Sequence, residues 1–148
     1  MAPERSELAD RFRAICLALS EVTERPSHGA PNWFVRDRKA FVTLWVDGHH
    51  GDDFPHAWCA ALPGVQEELV AAEPDRFFRP SYVGGRGWLG IRLDGGVDWD
   101  EIAGLCEDAY RAVAPSRLIA ELDSPAGRRP DAASRTRPNP GGERGCGR

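Results

Sequence analysis

From Asp123 to the C-terminus the chain has no leucine, isoleucine, valine or aromatic residue, and nine of those 26 residues are glycine or proline. Such a segment has no apolar surface to bury against the entropy of ordering its backbone. Every core residue must therefore come from residues 1–122, and residues 123–148 are expected to be a disordered Arg/Pro/Gly-rich tail. A body of that length, in a chain that is 41% hydrophobic and 28% charged, suits one self-sufficient domain.

Within the body, two hydrophobic periods alternate. Leu8, Phe12, Ile15, Cys16 and Leu19 share one helical face, with Ser6 placed as N-cap, which predicts a first helix over about 6–20. Pro26, Gly29 and Pro31 read as a loop. Trp33–Arg36 and Lys39–Val46 read as a hairpin, and Ala57–Leu62 as a third strand. Pro63-Gly64 opens a short helix carrying Val65, Leu69 and Val70, which must stop before Pro74. Gly87–Leu93 reads as a further strand, and Tyr82-Val83 can add a short one. Asp98 with Glu101 has the spacing of a capping box for a last helix limited by Pro115. The expectation is an α+β domain in the order α-β(3)-α-β(1-2)-α, with a mainly antiparallel sheet.

Charge divides along the same boundary. Residues 1–122 carry 13 basic and 20 acidic side chains, a net of −7, while the tail carries six arginines against three carboxylates, a net of +3. An acidic body works against general duplex binding, which needs surplus Lys and Arg. The N-terminus lacks a signal-peptide core and no apolar run reaches the length of a membrane span, so the reading is a cytoplasmic protein with no membrane partner. Cys16, Cys59, Cys106 and Cys146 form no C-x-x-C pair, and the first three sit in apolar surroundings that suit buried free thiols.

Chemistry-bearing side chains concentrate in Arg79–Trp88, where two arginines, a tyrosine and a tryptophan are set among three glycines. Guanidinium forks and aromatic faces grip phosphates, bases and carboxylates. Arg79, Tyr82, Arg86, Trp88 and Arg92 are the candidates, against the alternative that Arg79 pairs with Asp75 or Glu73 and pins the loop. Trp45, Trp58 and Trp99 read as core. Trp33 and Trp88 follow glycine-bearing loops and are the tryptophans placed to reach a cleft, with His28 beside the first. Gly85, Gly87 and Gly90 spell G-x-G-x-x-G, but a dinucleotide fingerprint needs a helix after it, and a strand follows here. His49, His50, Asp52, Asp53 and His56 include metal-binding side-chain types without ligand spacing, and read as a solvated loop. Cys59 with His28 or His56 is the one conceivable nucleophile pair, set in an apolar strand that would keep the thiol inert. No catalytic motif and no cofactor is implied.

Six segments in this order resemble one family: Arg13–Val22, Ser27–Val35, Arg79–Val83, Gly87–Arg92, Val97–Ile102 and Ala114–Leu118. Together they resemble the MmcQ/YjbR family over about residues 5–120. The resemblance implies a fold similar to that of secretion chaperones and a DNA-binding label drawn from a proposed double-wing arrangement. Arg36–Lys39 departs from the family's more usual glycine-containing turn. The function implied is a non-enzymatic, nucleic-acid-binding module. The alternative is a small-anion or protein-partner module using the same cleft, a homodimer included.

Overall fold

Every strand of the sheet pairs antiparallel with its neighbours, the first three through tight turns. The computed structural model describes residues 4–49 and 53–124. The order is α1 (Arg5–Leu17), β1 (Val22–Ser27), β2 (Ala30–Val35), β3 (Lys39–Trp45), β4 (His56–Cys59), α2 (Val65–Ala72), β5 (Phe77–Phe78), β6 (Leu89–Arg92), α3 (Trp99–Val113) and α4 (Ser116–Asp123). The six strands form one sheet ordered β1-β2-β3-β4-β6-β5. The α+β expectation holds. The chain divides after Ala114 into a unit containing the sheet and α1 to α3, and a second unit from Pro115 that contains α4. No helix among the described residues is long and apolar enough to cross a membrane.

Four elements differ from the sequence reading. Residues 22–35, read as loop around Pro26, Gly29 and Pro31, form a hairpin closed by His28-Gly29, both at positive φ (54° and 79°). Pro26 and Pro31 face each other in that hairpin. Counting from the turn, theirs is a non-hydrogen-bonded pair, so two missing N–H groups cost the ladder nothing. The extra strand beyond β4 is β5 at Phe77–Phe78, and Tyr82-Val83 lies in a turn leading to a short 3₁₀ segment at Gly84–Arg86. Pro115 does end α3, yet it also serves as N-cap of α4, which the reading had not anticipated. At the first helix the N-cap is Glu4 and the last residue Leu17, so Ser6 lies inside α1. The predicted cap at Asp98 holds: its carboxylate accepts from the backbone N–H groups of Asp100 and Glu101. Residues 125–148 of the expected disordered tail lie outside the described residues.

Register decides which side chains share a face. Trp33, Val42, Cys59 and Leu89 lie across from one another on the helix-covered face. There Trp33 stacks on Phe12 of α1 and Phe41 meets Tyr110 of α3 edge-on. Asn32, Thr43, Trp58 and Gly90 occupy the other face, followed by Trp45 and His56. A bulge between Trp33 and Phe34 shifts the β2–β3 register and inverts the alternation along β3.

The β2–β3 turn holds Arg36 and Asp37 at φ 55° and 59°, the type I′ geometry that favours Asn-Gly. Exposed ion pairs brace it, Arg36 to Glu21 at 2.7 Å and Asp37 to Arg25 at 2.9 Å. Left-handed backbone costs an ordinary residue about 1–2 kcal/mol, and an exposed pair returns about 0.5 kcal/mol. Arg36→Asn/Asp37→Gly is therefore expected to stabilise the fold by about 1 kcal/mol, seen as a rise of a few degrees in Tm. An unchanged or lower Tm would show that the ion pairs outweigh the strain.

Candidate functional site

The sheet face turned away from α1 and α3 forms the floor of a cleft of about 900 Å³. Asn32, Thr43, Trp45 and Trp58 line it from β2, β3 and β4. Ser27 and His28 at the first hairpin turn and Arg38 and Lys39 at the second line it from opposite ends of β2. The segment after β5 forms a wall of the cleft and brings in Tyr82, Val83, Arg86 and Trp88. Ala112 and Val113, at the end of α3, complete the lining.

That segment keeps its shape through one buried side chain. Gln66 of α2 is 4% exposed, and its Nε2 donates to the carbonyls of Gly84 (2.9 Å) and Trp88. Its Oε1 accepts from Arg79 Nη1 at 3.3 Å. The stem of Arg79 lies over Gly84, where a Cβ would stand 2.7 Å from its Cγ. Arg79 thus pins the loop, through Gln66 rather than through Asp75 or Glu73. The carboxylates of Glu73 and Glu101 pair with Arg76 instead.

Among the described residues no aspartate or glutamate lines the cleft, and three cations do. Arg38, Lys39 and Arg86 have no carboxylate partner among the described residues, whereas Arg13, Arg25, Arg36, Arg76 and Arg92 each have one. Arg86 lies over the Trp88 ring at 5.3 Å. Tyr82 is 76% exposed at φ 63°, a conformation that costs about 1–2 kcal/mol. An exposed aromatic ring held on strained backbone at the mouth of a cleft is the kind of outlier that marks a ligand contact. His49 meets the Tyr82 ring edge-on at 5.8 Å and also adjoins Trp45 and Trp58.

Four of the seven expected site residues therefore meet in the cleft: His28, Tyr82, Arg86 and Trp88. The other three do not line it. Trp33 is fully buried on the opposite face, its Nε1 donating to Glu24 at 3.1 Å. Arg92 is tied to Asp94 at 2.7 Å and lies over Phe54 at 3.9 Å; it draws the Asp94 carboxyl below its ordinary pKa by hydrogen bonding. Arg79 is engaged as described. Conversely, Trp45 and Trp58, read as core, are well buried yet belong to the cleft floor, and Arg38 and Lys39 had not been singled out.

The nucleophile pair does not assemble. Cys59 and His56 point to opposite faces of β4, and burial pushes the Cys59 thiol well above its ordinary pKa. Cys106 is likewise raised, first by its hydrogen bond with Cys16 and then by burial. Cys16, Cys59 and Cys106 are buried free thiols as expected; Cys146 lies outside the described residues. Among the described residues no three His, Cys, Asp or Glu side chains gather as a metal site; His50 and Asp52 lie outside them.

The YjbR family model matches residues 17–112. Among solved structures, the crystal structure of the Deinococcus radiodurans protein DR2400, with a DUF419 domain, is similar at TM-score 0.63. The likeness covers 82% of this chain and 92% of that one at 18% identity, and it is a likeness of fold. No curated protein matches the chain.

Proposed function

The chain belongs to the YjbR family, and we propose that it is a non-enzymatic module whose cleft binds single-stranded nucleic acid. The observation that carries this reading is the set Arg38, Lys39 and Arg86 around an aromatic cleft lined by no carboxylate among the described residues, in a body of net charge −7. Cations without partners suit phosphates, and the exposed Tyr82 ring suits stacking on a base, while Trp88 is buried beneath Arg86. A duplex asks for a broad positive face. Here the cations gather at one cleft, while Arg79 and Arg92 are engaged elsewhere, so an unpaired strand fits better. The cleft's volume of about 900 Å³ also suits a second reading, a small planar anion held in the same place.

Anisotropy titration of labelled single strands and duplexes against the full chain, over a range of salt, separates the two. Log K should fall linearly with log salt, and Arg86→Ala or Lys39→Ala should reduce that slope by about 0.7 each. Tyr82→Asn should weaken binding by about tenfold, the worth of one stacked base, and leave the slope alone. It should not lower Tm, because asparagine tolerates positive φ better than tyrosine. Equal affinity for a mononucleotide and a longer strand, with little response to salt, would replace the strand by the small anion.

A further inference from the structure

We propose that a groove lined by α2 and α3 docks an amphipathic helix of a protein partner, one whose apolar ridge is flanked by lysine or arginine. The groove lies apart from the cleft, and the proposal does not rest on the nucleic-acid reading. It begins with an inversion in α2. A surface helix normally buries its apolar stripe. In α2 only Gln66 is buried, while Val65 and Leu69 stay half-exposed. Those two line a groove of about 330 Å³ together with Leu105 of α3 and Leu62, which is 48% exposed. Cys59 and Leu89, from the helix-covered face of the sheet, complete it. An apolar surface between two helices is where a third helix lays its ridge, with anchors at i, i+3, i+4 and i+7.

Charge selects the partner. Glu68 and Asp108 line the groove, and among the described residues no cation lines it and neither carboxylate has a cationic partner. Nearby carboxylates are matched: Glu73 pairs with Arg76 at 2.8 Å and Glu107 with Arg111 at 3.1 Å. Two unmatched carboxylates beside leucines complement lysine or arginine set beside an apolar ridge. The net charge of −7 on residues 1–122 draws such a segment in. A second copy of this chain fits poorly, because a two-fold contact would bring both pairs of carboxylates together. Residues 125–148 bring six arginines but no leucine, isoleucine, valine or aromatic side chain to fill the groove.

The test titrates the full chain against three labelled helical peptides built on one scaffold. The first carries leucines at i, i+3, i+4 and i+7 flanked by lysines, the second flanks the same leucines with glutamates, and the third is the lysine peptide with alanine for leucine. The first should bind, and the other two should bind at least about tenfold more weakly. Leu62→Ser removes an apolar contact from a side chain exposed enough to leave the fold intact, and should weaken the lysine peptide about fivefold. Glu68→Gln/Asp108→Asn should weaken it by about fivefold, as two exposed ion pairs would. Glu4→Gln/Glu7→Gln removes the same charge at α1 and should change it by less than about twofold. No binding of the first peptide, equal binding of all three, or an α1 variant as weak as the groove variant overturns the proposal. A monomer–dimer equilibrium in sedimentation that Leu62→Ser abolishes would assign the groove to a second copy instead. Displacement of the lysine peptide by a peptide of residues 125–148 would assign it to this chain's own tail, and either result overturns the proposal.

Discussion

Gln66→Leu is expected to destabilise the fold by about 3 kcal/mol and to weaken ligand binding at the cleft as well. Leucine nearly matches glutamine in volume, so little of the loss is cavity. The cost arises because the carbonyls of Gly84 and Trp88 lose their shared donor, and each buried acceptor left unmade costs about 1–3 kcal/mol. Arg79 loses its acceptor at the same time, a smaller penalty because that side chain reaches water. The loop between these anchors presents Tyr82, Val83, Arg86 and Trp88, so its loosening spreads one wall of the cleft. Urea denaturation of wild type and variant gives the stability change directly, provided the m-values agree. A loss below about 1 kcal/mol would mean that water satisfies the two carbonyls, and that something other than Gln66 holds the loop. Gln66→Glu is a useful companion: it keeps an acceptor for Arg79 but turns a second acceptor toward the carbonyls, so it should also destabilise.

Gln66 was not legible in the sequence, and the reason is general to this site. A polar residue in the first turn of a short helix reads as solvent-facing, and only the return of the chain at residues 84–88 buries it. The parts that were legible depend on local signals. Asp98 caps α3 because its carboxylate needs only the next turn, and His28, Tyr82, Arg86 and Trp88 stand out from glycine-bearing segments. Strand-borne members of the cleft depend on long-range register. Thr43 and Trp45 face the cleft because a bulge at Trp33/Phe34 resets the alternation, which no count along β3 alone reveals. The first hairpin was hidden by its prolines, although His-Gly at the turn carried a usable signal, since histidine is enriched among residues at positive φ. Arg92 misled for the opposite reason: nearness in sequence to Arg86 says nothing of its partner, Asp94.

Gly90→Ala is expected to cost about 2–3 kcal/mol, the scale of inserting a methyl group into a filled core. A Cβ there would stand 2.6 Å from Phe78 Cε2 and Cζ and 2.8 Å from Cδ2. Those atoms belong to a rigid ring, itself edge-on to Phe54 at 5.7 Å and to His56 at 5.4 Å, so it cannot swing aside freely. The pairing Trp58, Gly90, Phe78 across three strands puts this contact on the same sheet face as the cleft floor. Gly90 is the last glycine of the apparent dinucleotide motif, and the structure gives its members unrelated tasks. Gly87 holds φ 86° after the 3₁₀ segment, while Gly90 admits the Phe78 ring. The double variant Phe78→Leu/Gly90→Ala should be more stable than the two single losses added together, with a coupling of about 1 kcal/mol or more in a double-mutant cycle. A nucleotide role for the motif would give the reverse pattern: Gly90→Ala would leave stability intact, cost ligand affinity, and be indifferent to Phe78. Thermal and urea unfolding of the four proteins decide between a glycine kept for a ring and one kept for a ligand, and additive losses would discard the first.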